Sequence, residues 1–571
     1  MLTGMISSVG PTVSKGHSGE GSLSNVYVDP NDNNFGIGEG LTFHASAENN
    51  IAIGTDALNS SGADCDYNIG IGTNALTAVS TGDNNIGIGY GAGSGLTDVT
   101  DNVIIGHDAL SQSNGAYYSV AIGSLALKNN STGVQNIGIG NKAGTDVGAG
   151  VANTIVGHLA GQGIDGESYN TIFGNQALSN ASSNATSATV IGYLAAGSGI
   201  VTTAATGIIA IGYRALNNLT SGDGNIGIGY DTGYSTTSGT RNTAIGYRAF
   251  RSNQTGHSTV ALGYEALFTA NHVANDGAVA IGYKAGRLMN CSGGSTSNGN
   301  TLIGYFSGFD PNIGDGATEG GLTSGTKCTA VGMETLGANA NGNLTCARTT
   351  VMGYRAGYSL TGANCDDNTF IGYQAGDSVT TGSDNTLIGS GTDTSAVGGI
   401  NQIVIGYDAT GLGDNYAVIG NGDITRVYAA DDTGATLYAG SATVSTSDSR
   451  IKEDVKDTML GLSFINKLRS VEYKKRQPSD YDESLKKKLD WYKNNKTPRT
   501  LDELDKNKIR TGFIAQEVGK ILKDMGFDEN NDIVEIDERN TQQHIAYSKI
   551  IPPLVKAVQE LSQQIEDLKK G

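Results

Sequence analysis

The chain has 571 residues, a formal net charge of -19 and only 16% charged residues. An acidic surface repels phosphate backbones, so nucleic-acid binding is excluded as a main role. No run approaches the roughly 18 apolar residues that span a bilayer, so no membrane insertion is expected.

The average conceals two unlike parts. Of the 84 glycines, 79 precede Ser447. Residues 1–447 hold 13 basic and 33 acidic residues, whereas residues 448–571 hold 24 and 23. Residues 1–35 form a short leading segment. Its start, Met1-Leu2-Thr3-Gly4-Met5, lacks the basic and then apolar pattern of a signal peptide, so none is expected. The five cysteines, Cys65, Cys291, Cys328, Cys346 and Cys365, include no CxxC pair. No metal or cofactor is expected, and the thiols are read as unpaired and made in a reducing cytoplasm.

From residue 36 to 422 a unit of about 17 residues recurs about 22 times. It ends in Ile-x-Ile-Gly, as in Ile69-Gly70-Ile71-Gly72 and Ile86-Gly87-Ile88-Gly89. Its last glycine serves as a marker. Alternation with period two puts both branched residues on one face of a short strand, and the marker ends it. Asparagine precedes the marker by four in about a dozen units, including Asn50, Asn68, Asn85, Asn102 and Asn136, where stacking can build an amide ladder. One unit buries too little by itself, so the units must stack as a solenoid.

Tyrosine follows the marker in half of the units. Four of these, Tyr283, Tyr305, Tyr354 and Tyr373, are candidate receptor or glycan contacts, against the plainer reading of a structural ladder. Marker spacing stretches between Gly282, Gly304, Gly332 and Gly353. Residues 287–350 are therefore read as an irregular, loop-bearing part with receptor contacts, against simple loop insertion. After Gly422 the repeat stops. Residues 423–447 read as a β neck, with strands at 427–430 and 435–439.

Beyond the neck, Gly461 to Leu468 reads as a helix start, Val471 to Lys474 as a strand, 477–508 as a charged insertion and Ile533 to Ile536 as a strand. Leu554, Val558, Leu561, Ile565 and Leu568 follow spacings of four and three, the seam of a coiled coil. Ser447 and Lys452 stand five apart at the junction of the two parts. A serine becomes nucleophilic when a base takes its proton, and a lysine of lowered pKa can do so.

Two resemblances extend this reading. Ser119-Val120-Ala121-Ile122-Gly123 and Ala278-Val279-Ala280-Ile281-Gly282 resemble the head repeats of trimeric autotransporter adhesins, which implies a trimeric parallel β-roll. The nonapeptides of calcium-binding β-rolls are absent. Three C-terminal blocks, Ser447-Asp448-x-Arg450-x-Lys452, Gly512 to Val518, and Tyr547 through Pro553 to Leu561, resemble the intramolecular chaperone auto-processing domain of phage endosialidases and tail fibres. That resemblance implies an α+β domain over 448–571 that trimerises, helps the preceding β-structure fold and then cuts itself off. By it, Ser447 is the nucleophile, Lys452 the general base, and the cut falls at Ser447 and Asp448. Arg450, Gln516 and Glu517 are supporting residues. The expected protein is a mainly β bacteriophage tail fibre. It is a homotrimer that docks on other virion tail proteins and binds a host cell-surface glycan or receptor, assembled in the host cytoplasm and carried on the virion. A surface-glycan depolymerase and a cellular adhesin are the alternatives.

Overall fold

A computed structural model describes residues 26–424, 427 and 455–571, except 30–31, 42, 45, 60–64, 181–184, 200–204, 271–275, 290–298, 310–321, 323–325, 338–343, 362–363, 488–505, 528–531 and 537–542. Two compact units are present, Met1–Thr425 and Arg426–Gly571. The predicted neck strands lie outside the described residues.

The first unit is a parallel β-solenoid. Strand β1 (Val26–Asp29) pairs antiparallel with β2 (Asn34–Ile37). From β2 onward each strand pairs in parallel with its successor, from β3 (Ile51–Ile53) to β23 (Ala417–Ile419). Each of these coils contributes one three-residue strand, and the rest of the coil is turn. The turns need left-handed residues that are not glycine. Around Gly72, Tyr67, Asn74 and Leu76 have φ of 59°, 58° and 52°. That conformation is unfavourable for L-residues, so neighbouring coils hold it. Asn74 N–H donates to the Thr55 carbonyl and Leu76 N–H to the Ala92 carbonyl, each at 2.9 Å.

The marker glycines stack backbone on backbone. Gly89 has φ +133°, and a Cβ there would lie 2.6 Å from the carbonyl oxygen of Gly106. No side chain fits that approach.

Beside them runs the asparagine ladder. In Asn85 the backbone N–H and the side-chain amide both donate to Oδ1 of Asn68, at 2.9 and 3.1 Å. The same amide also donates to the Val99 carbonyl of the next coil at 2.7 Å. Rungs without asparagine keep the register, because Ser119, Thr259 and Cys328 still donate their backbone N–H to the asparagine before them. A buried amide left unpaired would cost about 1–3 kcal/mol, so each asparagine that is present must find its partners.

The structure orients the strands in a way that alternation alone leaves open. The paired branched residues point outward and are half-buried or exposed, while the middle residue is fully inside. The reason is the narrow interior. Where the middle residue is small, the previous coil supplies a leucine, as Leu76 does over Gly87 and Leu127 over Gly138. Where it is large, the previous coil supplies glycine, as Gly93 does beside Ile104 and Gly144 beside Ile155. In these pairs a large residue in one coil is matched by a small one in the other.

The irregular part does not interrupt the sheet, since β17 (Thr301–Ile303), β18 (Thr329–Val331) and β19 (Thr350–Met352) pair in register. Its extra length at 290–298, 310–321 and 338–343 lies outside the described residues. One expectation fails here. Cys346 and Cys365 are joined by a disulfide, with Cα atoms 4.9 Å apart. They occupy the same place in successive coils, and strand-to-strand spacing falls within the Cα range of such a bond. Cys65 and Cys328 are buried; Cys291 lies outside the described residues.

Glu167 is a strained point of this unit. Its Oε2 is buried with no hydrogen-bond partner among the described residues. Burial pushes its pKa above the usual carboxylate range, against the lowering effect of backbone hydrogen bonds from Glu167 and Asp165. A raised folded-state pKa favours the fold below the unfolded pKa, and that contribution is lost as pH rises through the folded pKa. Glu167→Gln is therefore expected to stabilise the shaft at pH 7 by about 1 kcal/mol. It should do little at pH 4, as read by thermal unfolding at both pH values.

Candidate functional site

The C-terminal unit is built on a small core of Leu460, Phe464, Val518, Leu522, Ile533 and Ile550. Its described helices are α1 (Leu462–Ile465), α2 (Glu483–Lys486), α3 (Ala515–Asp524) and α4 (Ile551–Lys570). Its strands form two antiparallel ribbons, β24 (Val471–Tyr473) with β25 (Arg510–Gly512), and β26 (Val534–Ile536) with β27 (Gln543–Ile545). Helix α3 turns Ala515, Val518 and Leu522 inward at spacings of three and four. Helix α4 starts with two prolines in its first turn, where the missing N–H groups cost nothing.

Two blocks far apart in sequence meet at one hydroxyl. The Phe513 N–H donates to the Tyr547 hydroxyl oxygen at 2.9 Å, and the two rings stack 5.9 Å apart. A Cβ at Gly512 would collide with that same oxygen. Gly512 is thus needed because Tyr547 crosses over it. Beside this contact a cleft of about 720 Å³ opens between β24, β27 and the start of α3, lined by Val471, Tyr473, Gln516, His544 and Tyr547 among others. On its rim Arg469 grips Glu517 through both carboxylate oxygens, with Nε to Oε2 at 3.0 Å. The hydrogen bonds from Arg469 hold the Glu517 carboxyl below its usual range.

Residues 447–527 match the peptidase S74 family model, described as chaperone of endosialidase. The C-terminal unit carries an endosialidase-type chaperone domain. The match starts on Ser447 and ends just past α3, so it contains the Gly512 to Val518 block. No curated protein matches the chain.

In the chaperone domain, Ser447, Asp448, Arg450 and Lys452 lie outside the described residues. Gln516 lines the cleft, and Glu517 is taken up by Arg469. Sequence reasoning quoted Tyr547 only as part of a block and gave no part to Arg469 or His544; nothing local marks them, since their partners lie far along the chain. Helix α4 packs Pro553 and Ala557 inward. Its Glu560 carboxylate accepts the Leu462 N–H at 2.7 Å, which caps α1. Leu554, Val558, Leu561, Ile565 and Leu568 are all exposed on α4.

On the shaft, Tyr283 and Tyr305 end a file of seven rings that begins at Tyr193, stacked 4.8 to 5.4 Å apart. Tyr354 and Tyr373 form a separate pair at 5.3 Å. Met333 holds the tyrosine place between the two groups. Within the file the ring faces lie against each other, so edges and hydroxyls are what a ligand would meet. That geometry fits a structural ladder with hydrogen-bonding edges better than a row of sugar-stacking platforms.

Tyr547→Phe is expected to destabilise the chaperone domain by about 1 kcal/mol by leaving the Phe513 N–H unpaired. Gly512→Ala should cost more, because the added methyl displaces the ring as well as the hydroxyl. Denaturant unfolding of the full chain, followed through the C-terminal transition, checks both.

Proposed function

We propose that this chain is a homotrimeric bacteriophage tail-fibre shaft, assembled by its C-terminal chaperone domain and then freed from it by one self-inflicted cut at Ser447. The observation that carries the reading is a pair of unpartnered surfaces, one free of charge along the shaft and one apolar on α4. From β2 to β23 neither outward strand position holds a charged residue in any strand. In a chain of net charge -19 this is a face kept clear of charge along the whole shaft. The exposed seam on α4 has the heptad spacing of an oligomeric helix. Exposed apolar stripes of this extent mark association surfaces, and two copies of the same repeat are the partners whose periodicity matches.

The self-cleavage reading rests on the family match and on the chemistry of its first residues. Ser447 Oγ would attack the adjoining peptide carbonyl while Lys452 takes its proton and passes it to the departing amide nitrogen; water then hydrolyses the ester to leave a carboxylate and a free amine. Proximity within one chain replaces substrate binding. Trimerising the C-termini first raises the effective concentration of the shaft segments. Cutting afterwards removes the assembly device and leaves the shaft kinetically trapped. Attachment to other virion tail proteins through residues 1–35 and recognition of a host surface glycan or receptor complete the role.

The expressed wild-type chain is expected to separate on denaturing electrophoresis into two pieces that part at Ser447, while Ser447→Ala and Lys452→Ala stay whole. A wild-type chain that folds and stays whole would remove the self-cleavage reading. In the uncleaved Ser447→Ala background, Leu561→Asp should lower the assembled mass from three chains to one by light scattering. An unchanged trimer would show that α4 does not drive assembly.

A further inference from the structure

A stacked repeat has a specific way to misfold. One coil can be looped out so that its neighbours stack on each other. What opposes this is any difference between successive coils. In the stretch from coil 229 to coil 282, named by their marker glycines, two of the columns carry no such difference. The inward middle residues are Gly227, Ala244, Ala261 and Ala280, all small. The tyrosine file is unbroken, from Tyr230 to Tyr283. Phe250 would meet Ala280 as readily as Ala261, and every ring would find another ring.

Two neighbouring columns do alternate. Two residues after each marker stand Arg214, Asp231, Arg248, Glu265 and Lys284, with strictly alternating sign. Five residues after the marker stand Tyr234, Arg251, Phe268, Arg287 and Phe309, aromatic and cation by turns. The columns are tied together. Asp231 is fully buried and takes two bonds from Arg214 at 2.8 Å, with Arg251 at 3.6 Å. Glu265 takes Arg287 at 2.7 Å, with Arg248 at 3.8 Å. Arg251 sits between the rings of Tyr234 and Phe268, at 5.2 and 5.7 Å. Arg287 sits between Phe268 and Phe309, at 5.2 and 5.5 Å. The chemical period is therefore two coils, while the structural period is one.

We infer that this two-coil alternation is a register lock, which makes omission of a single coil unfavourable where the inward strand residues and the tyrosine file are blind to it. Omitting coil 246 would place Asp231 on Glu265. Omitting coil 263 would place Arg248 and Arg251 on Lys284 and Arg287. Either pairing brings like charges together and removes the opposite charge that now lies between them, Arg248 and Arg251 in the first case and Glu265 in the second, a penalty of the kind that sets specificity rather than bulk stability. The inference concerns folding of the shaft and does not depend on self-cleavage.

The test uses the full chain with Ser235→Cys and Thr269→Cys as reporters. These sites lie two coils apart, roughly 9–10 Å by strand spacing, beyond the reach of a disulfide. They become neighbours only if the coil between them is omitted. Refolding from denaturant under oxidation, with the cross-link mapped by peptide mass, measures omission. In low salt the cross-link between the introduced thiols should be rare. With Asp231→Asn, Arg248→Gln, Arg251→Gln, Glu265→Gln, Lys284→Gln and Arg287→Gln added, it should rise about tenfold or more, the scale on which like-charge juxtaposition discriminates. Should that variant fail to fold, the reporter chain itself decides. Refolding in 1 M salt screens the unfolded-chain encounter and should raise the cross-link, whereas salt-independent, equally rare cross-linking would overturn the lock. So would a neutralised ladder that refolds with the same fidelity as the charged one.

Discussion

The shaft depends on one constraint, the approach of consecutive coils until backbone touches backbone at the marker glycines. At Gly89 and Gly106 there is no room for a methyl group, and that distance sets everything beside it. It brings the asparagine amides within bonding range of two coils at once, stacks the tyrosines at ring-contact spacing, and leaves an interior so narrow that Leu76 and Leu127 each lie over a glycine of the next coil. Left-handed residues such as Leu76, unfavourable when isolated, persist because the same approach supplies their hydrogen-bond partners.

Much of this was legible in the chain, because a repeat writes its constraints many times over. The period, the strand of three, the stacked asparagines and the file of tyrosines all follow from residues at constant offsets from the marker. The side of the strand that faces inward does not. Ile86 and Ile88 share a face by alternation, but only Leu76, from the preceding coil, shows that Gly87 is the one inside. Cys346 and Cys365 hid for a similar reason. They are nineteen residues apart in an irregular stretch, and only the stacking makes them neighbours.

The chaperone domain was legible by a different route. Its blocks could be recognised, yet their physical reason could not. Gly512 looks like any turn glycine until Tyr547, thirty-five positions later, is seen to lie across it. The pairing of Arg469 with Glu517 and the capping of Leu462 by Glu560 are likewise products of the fold rather than of local pattern. The two units also differ in how they limit error. The chaperone domain has a unique core and one way to assemble. The shaft has many nearly equivalent rungs, so it needs external alignment and internal irregularity to reach one register.

The strand that opens the solenoid has a consequence for growth. A parallel stack of coils exposes, at its first rung, an edge ready to accept another parallel strand, and a file of such molecules could lengthen without limit. Here the chain doubles back at Asp32 and Asn33, and β1 occupies that edge in the opposite direction. The next rung that could be added at that edge is already filled by a strand of the same chain. Growth by a further parallel rung is therefore blocked on that side by β1 itself.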